Sequence, residues 1–222
     1  MGGYPASFTS TSIAVDNLVA GESQLISRKV TILSGQNLLR GAVLGKITLG
    51  AAAAAAKAGG NAANTGAFTL DVATPILAGA QVGVYTVRCI AAAANGGTFR
   101  VTAPNGAVLG DVAVAATFAN QIKFSIADGA QDFVVGEGFD VTIAAGSGKY
   151  VASLAAAVDG SQVPDAVLVS VCDASLADAE GIAYFSGTFN ESALVLGAGH
   201  TLASIREGLR AKDIHLVATS AI

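Results

Sequence analysis

Two histidines, two cysteines and sixteen carboxylates are the residues of this 222-residue chain best suited to chemistry. His200, His215, Cys89 and Cys172 are donors that zinc accepts, yet no two of them stand at the short spacing of a zinc site. His200 with Ser192 and Glu191 has the residue types for acyl transfer, but Ser192 lacks the Gly-x-Ser-x-Gly elbow that would expose and activate it. Asp173, Asp178 and Glu180 carry oxygens for a hard cation without the alternating spacing of a calcium loop. Gly146-Ser147-Gly148-Lys149 has the tail of a phosphate-binding loop, but Ile143 and Tyr150 stand where that loop needs Gly and Ser or Thr. Gly197-x-Gly199 lacks the third glycine of a dinucleotide turn. Asn190-Glu191-Ser192 matches a glycosylation acceptor by chance. The expectation is a protein that is not an enzyme, with no catalytic residues, no metal and no cofactor.

Composition narrows the partners. A formal charge of −4 and a pI near 5.0 offer no clustered cations to release counterions from phosphates, so nucleic acid is not expected as a partner. Apolar residues make up 52% of the chain, mainly Ala and Val, but Gly, Asn, Thr or a charge cuts each run short of membrane-spanning length. The N-terminal Met1-Gly2-Gly3-Tyr4-Pro5 has no basic region followed by a hydrophobic core, so neither a secretion signal nor a membrane partner is expected. Cys89 and Cys172, far apart and unpaired in spacing, read as buried free thiols.

The elements that would hold these residues read mostly as strands. Around Gly197-Ala198-Gly199 the pattern changes: Thr201 caps a predicted helix whose Leu202, Ile205 and Leu209 share a face, and Ile214, Leu216 and Ala218 alternate as a half-buried strand. Leu25 to Ile47 reads as short strands around turns, with Arg28, Lys29, Arg40 and Lys46 forming a solvated rim or a patch for an acidic partner. Ala51 to Ala56 favours helix but is stopped by Gly59-Gly60, so it reads as a linker or loop. Runs at 68–72, 82–90, 98–102, 108–114, 122–126 and 139–143, separated by turn signals, describe a small antiparallel sandwich or barrel. Val167 to Val171 and Ile182 to Phe185 read as further strands.

The expected fold class is therefore α+β: mixed small sheets with a C-terminal helix, carrying an inserted all-β sandwich-like domain. Its divisions are a flexible N-terminal arm at 1–24, a discontinuous frame at 25–48 and 148–222, and a β-rich insert at 49–147. The arm, with isolated apolar residues Ile13, Val15, Leu18 and Val19, is either a frayed tail or a segment that orders by adding a strand to a partner.

The frame resembles the lambda-type bacteriophage head decoration protein D family. The resemblance is carried in fixed order by Ser27-Arg28-Lys29-Val30-Thr31-Ile32, Ser34 to Leu38, Arg40 to Ile47, Gly148-Lys149-Tyr150, Asp159 to Leu168, Gly187 to Glu191, and Gly199 to Lys212. It implies a homotrimer on the outer surface of the expanded capsid, made in the host cytoplasm, that cements copies of the major capsid protein. It also implies that the arm adds a strand to that partner, which makes Ile13, Val15, Leu18 and Val19 the candidate capsid-binding residues. The block from Leu49 to Ser147 departs from the short family members. That block leaves a second reading, a surface-exposed adhesive or receptor-binding module; a small hydrolase using His200 or the acidic loop is the third.

Overall fold

Val30 and Ile32 are buried and alternate with exposed Lys29 and Thr31, the period of a strand with one face on a core, in β1 (Ile26–Ile32) of the computed structural model, which describes residues 17–61 and 64–218. Gly35, at φ +87°, turns the chain into β2 (Gln36–Leu38), and Gly41, at φ +80°, turns it into β3 (Val43–Lys46). Val43, Leu44 and Gly45 are all buried, so β3 is covered on both faces. A Cβ on Gly45 would lie 1.8 Å from the Ser161 carbonyl oxygen, which shows how closely the 161 loop crosses this strand.

The next eight strands are β4 (Leu49–Ala56), β5 (Ala67–Leu70), β6 (Gly83–Ala93), β7 (Gly96–Thr102), β8 (Val108–Ala113), β9 (Thr117–Ala119), β10 (Lys123–Ala127) and β11 (Gly138–Ala145). They form a five-stranded sheet in the order β4-β11-β6-β7-β8 and a three-stranded sheet in the order β5-β10-β9. Tyr85, Val87 and Cys89 of β6, Phe99 and Val101 of β7, and Val141 and Ile143 of β11 meet Phe124 and Ile126 of β10 in one core. Phe68 stacks on Phe124 with centroids 4.5 Å apart, and Phe99 meets Phe133 edge-on at 4.9 Å, geometries that aromatic rings favour. The six expected runs all appear as strands. The alanine run corrects an expectation: Ala51 to Ala56 belong to β4 because the ladder to β11, from Ala56↔Phe139 to Leu49↔Ala145, outweighs the helix preference of alanine.

The chain then returns through β12 (Tyr150–Ala152), β13 (Pro164–Leu168), β14 (Cys172–Ala174) and β15 (Ala179–Asn190) to α1 (Leu202–Arg210) and β16 (Ile214–Val217). The pairings β1–β12, β12–β3, β3–β13, β13–β15 and β15–β1 run in a circle and close a five-stranded barrel. The predicted strand at 167–171 is shifted: it ends at Leu168, and Val171 is 61% exposed in the turn toward β14. Thr201 and Ser204 cap α1 reciprocally, and Ile205 and Leu209 are buried as their spacing requires. Asp213, at φ 59°, ends the helical run and admits β16, which pairs parallel to β15 from Gly187↔Ile214 to Asn190↔Val217.

The expected α+β class with an inserted domain is thereby corrected. Among the described residues α1 is the sole α-helix, and the chain is mostly β, with the barrel at one end and further sheets beside it. The short frame segments look like separate small sheets in sequence because a closed ring is made from pairings between distant segments. Nor is the passage from β3 to β4 a bare linker: Ile47 N–H donates to Lys149 O at 3.0 Å, and Gly146 N–H donates to Thr48 O at 2.9 Å. The β3–β12 and β4–β11 pairs are thus joined by hydrogen bonds.

Two glycines test this packing in opposite directions. Gly45→Ala is expected to lower stability by about 3 kcal/mol or to prevent folding, because the methyl group meets backbone that cannot yield. Gly208→Ala, in α1 with nothing within 4 Å of the added Cβ, is expected to raise it by about 0.5–1 kcal/mol. Urea unfolding midpoints of the two variants measure both.

Candidate functional site

The described chain begins by lying down on its own longest strand. Val19 bridges antiparallel to Phe189 of β15, Asn190 N–H donates to Leu18 O at 2.9 Å, and Ala20 N–H donates to Thr188 O at 2.9 Å. Ser23 and Thr188 hydroxyls meet at 2.7 Å, and Ser186 Oγ donates to Gln24 O at 2.6 Å. Leu18 is fully buried in a cluster with Val43, Val167, Phe189, Ile205 and Leu209, and Val19 packs against it. Gly21 and Gly41 make the close approach possible: a Cβ on Gly21 would come within 2.9 Å of Thr188 Cβ, and one on Gly41 within 2.5 Å of Ala193 O.

Of the four candidate binding residues, Leu18 and Val19 therefore contact the chain's own core, whereas Ile13 and Val15 lie outside the described residues. Sequence reading missed the other half of this anchor, Thr188, Phe189 and Asn190. Only Gly187, at φ +145° where β15 passes from β1 to β16, marks the place in sequence. Asn190, matched by the glycosylation pattern, is buried; its side chain accepts from Ser192 N–H and Oγ and so starts the turn at Glu191–Ala193.

The residues weighed for chemistry are bonded elsewhere. Ser192 Oγ donates to Asn190, Glu191 pairs with Arg206, and His200 Nε2 lies 3.1 Å from the buried Ser153 Oγ, which itself donates to Ser161 O. Cys89 and Cys172 are buried in separate cores, and burial raises the pKa of both thiols. No cluster of three metal-binding side chains occurs among the described residues. In the acidic connection, Asp178 accepts from Lys149 Nζ at 2.5 Å and from Ser34 N–H at 2.9 Å, Glu180 pairs with Lys29 at 2.8 Å, and Asp173 accepts from Ser175 N–H. These hydrogen bonds, with that of the Ser175 hydroxyl the largest for Asp173, hold all three carboxyls below their ordinary pKa, and those of Asp178 and Glu180 tie the connection to Lys149, Ser34 and Lys29.

A cleft of about 390 Å³ opens where the two blocks meet, lined by Lys46, Thr48, Gly160, Gln162, Asp165 and Lys212 among others. Two of its charged groups satisfy each other: Lys212 Nζ donates to Asp165 at 2.5 Å and to Pro164 O at 2.9 Å, and Tyr150 Oη donates to Asp165 at 2.8 Å. Burial pushes the Asp165 carboxyl up, but the hydrogen bonds from Lys212 and Tyr150 outweigh it and leave the pKa lowered; burial, then the bond to Asp165, raises that of Tyr150. This network ties the end of α1 to β12 and β13.

Leu18→Ala is expected to cost about 2–5 kcal/mol, as for a buried leucine whose cavity cannot collapse; chemical denaturation measures it. Lys212→Met removes the cation that holds Asp165 ionised. A depressed carboxyl contributes stability above its unfolded pKa of about 4 and loses it as pH falls through the folded value. The stability gap between wild type and Lys212→Met is therefore expected to be widest at neutral pH and to shrink below about pH 4, read from urea midpoints across that range.

A family model described as bacteriophage lambda head decoration protein D matches residues 7–215. No curated protein and no solved structure matches the chain.

Proposed function

The chain belongs to the bacteriophage lambda head decoration protein D family, and from that premise we propose that it binds the outer surface of an expanded phage head as a homotrimer and cements neighbouring copies of the major capsid protein. The observation that carries this reading is the family match itself, which runs from residue 7, within the leading segment, through the barrel to residue 215 in β16. The family is a structural one, and in this reading the chain has no catalytic role.

The anchor on β15 supports a specific division of labour. Leu18 fastens the leading segment to the body, so residues 1–16 start from a fixed point, with Ile13 and Val15 spaced for one face of an added strand. Sixteen residues, fully extended, reach at most about 58 Å. Strand addition supplies backbone hydrogen bonds without any site chemistry. A trimer presents three such segments at once, so the second and third bind at high effective concentration and a weak single contact becomes a stable cap. Residues 49–147 are in this reading an elaboration carried on the docking body.

Deletion of residues 1–16, which keeps Leu18 and the barrel, tests the reading. Mixed with expanded empty heads and followed by sedimentation and electron microscopy, the full chain is expected to saturate the heads. The truncated chain is expected to remain trimeric and to lose binding by at least tenfold. Full occupancy by the truncated chain would rule out the segment as the docking element.

A further inference from the structure

The edges of the sheets are not treated alike. Arg206, held by Glu191, donates to the Leu216 carbonyl at 2.8 Å and covers β16; Asn120 Nδ2 donates to the Leu109 carbonyl at 3.2 Å and covers β8. The leading segment covers the end of β15. Sheets guard their margins in this way because an open row of N–H and C=O groups invites another strand. β4 is the longest margin left open; β2, β5, β9 and β14, which likewise pair on one side, have three or four residues each. β4 pairs with β11 on one side, and among the described residues no strand pairs with the other.

β4 also lacks every usual deterrent. Its eight residues, Leu-Gly followed by six alanines, include no charge and no proline, and no side chain is long enough to fold over the backbone. Ala54 and Ala56 stand opposite the buried Val141 and Phe139, on the core side of the sheet, and yet both are exposed. The core itself is closed there, with Val141 and Phe139 buried and Phe68 of β5 5.0 Å from Phe139, so Ala54 and Ala56 stand free beside it and leave room for one more strand.

We propose that the outer edge of β4 is a joint to a second copy of this chain, paired antiparallel with the β4 of an adjoining trimer; the inference rests on the decoration reading above for the trimer and the shell. The occupant follows from three properties of the edge. First, a neutral strand of small side chains is complementary to itself, since antiparallel pairing about a two-fold axis sets alanine against alanine with no clash and no like charges. Second, it gives a partner selected by charge nothing to hold. Third, a two-fold contact between identical patches cannot close within a three-fold ring, so it must run between rings. Its size sets when it forms. One strand pair is far smaller than the roughly 1,200–2,000 Å² of a stable interface, so free trimers stay apart. On a shell, neighbours are held at effective concentrations of order millimolar, and the same weak contact closes. The blocks would then form a net above the capsid in addition to the contacts below.

Single cysteines placed in turn at Ala51 through Ala56, with the buried Cys89 and Cys172 left as they are, test the joint on decorated heads under mild oxidation. A two-fold antiparallel pair brings a residue against its own copy at one point along the strand. One position, or two on the same face, is therefore expected to give a two-chain band on a non-reducing gel, at least tenfold stronger on heads than in free protein at the same bulk concentration. Adding Ala54→Lys is expected to cut that band at least tenfold while the trimer, its melting temperature and head occupancy stay unchanged. Fully occupied heads with no two-chain band at any position would overturn the joint and leave the decoration reading standing. A band joining this chain to the capsid protein would overturn the choice of occupant. Heads left bare by every variant and by the wild type would overturn both.

Discussion

Strand β15 is hydrogen-bonded on both sides, and the rest of the molecule depends on that. Its first half pairs with β1, its middle with β13, and its last four residues with β16, while Leu18 to Ala20 lie along the margin left free. Twelve residues thus close the barrel, receive the helix crossover and fix the start of the chain. The register on β1, continuous from Ser27↔Tyr184 to Ile32↔Ala179, leaves little freedom, because a slip of one residue would turn Ala183 out of the core and a solvent-facing neighbour into it.

The two halves of the protein answer different physical demands. Around the barrel, small aliphatic side chains and close backbone crossings dominate, as at Gly45 against Ser161 and Gly160 against Thr48. In the block from Leu49 to Ala145, phenylalanines fill the space between two sheets. The hydrogen bonds of residues 47–49 with 146–149 and with Asp159 join the two. The junction between the two is therefore made largely by backbone hydrogen bonds.

Many of the charged residues are engaged with one another. Lys29, Lys149 and Arg206 face Glu180, Asp178 and Glu191, and Lys212 faces Asp165. These pairs lock segments that are distant in sequence, and exposed pairs of this kind each contribute little alone.

Local chemistry was legible in the residues themselves. The Thr201 cap, the shared face of Ile205 and Leu209, the turn glycines and the alternation in the strands from Phe68 to Ile143 all declare their structure through neighbours a few positions away. The ordered motifs of the barrel segments likewise carried the family. What the residues could not declare is decided by partners far along the chain. Ala51 to Ala56 form a strand because β11 lies beside them, Leu18 is core rather than free arm because Phe189 waits some 170 residues later, and small sheets become a barrel because β1 meets both β12 and β15. Periodicity reports which face of an element is apolar; which surface meets that face is a property of the closed chain, set by long-range hydrogen bonding and packing.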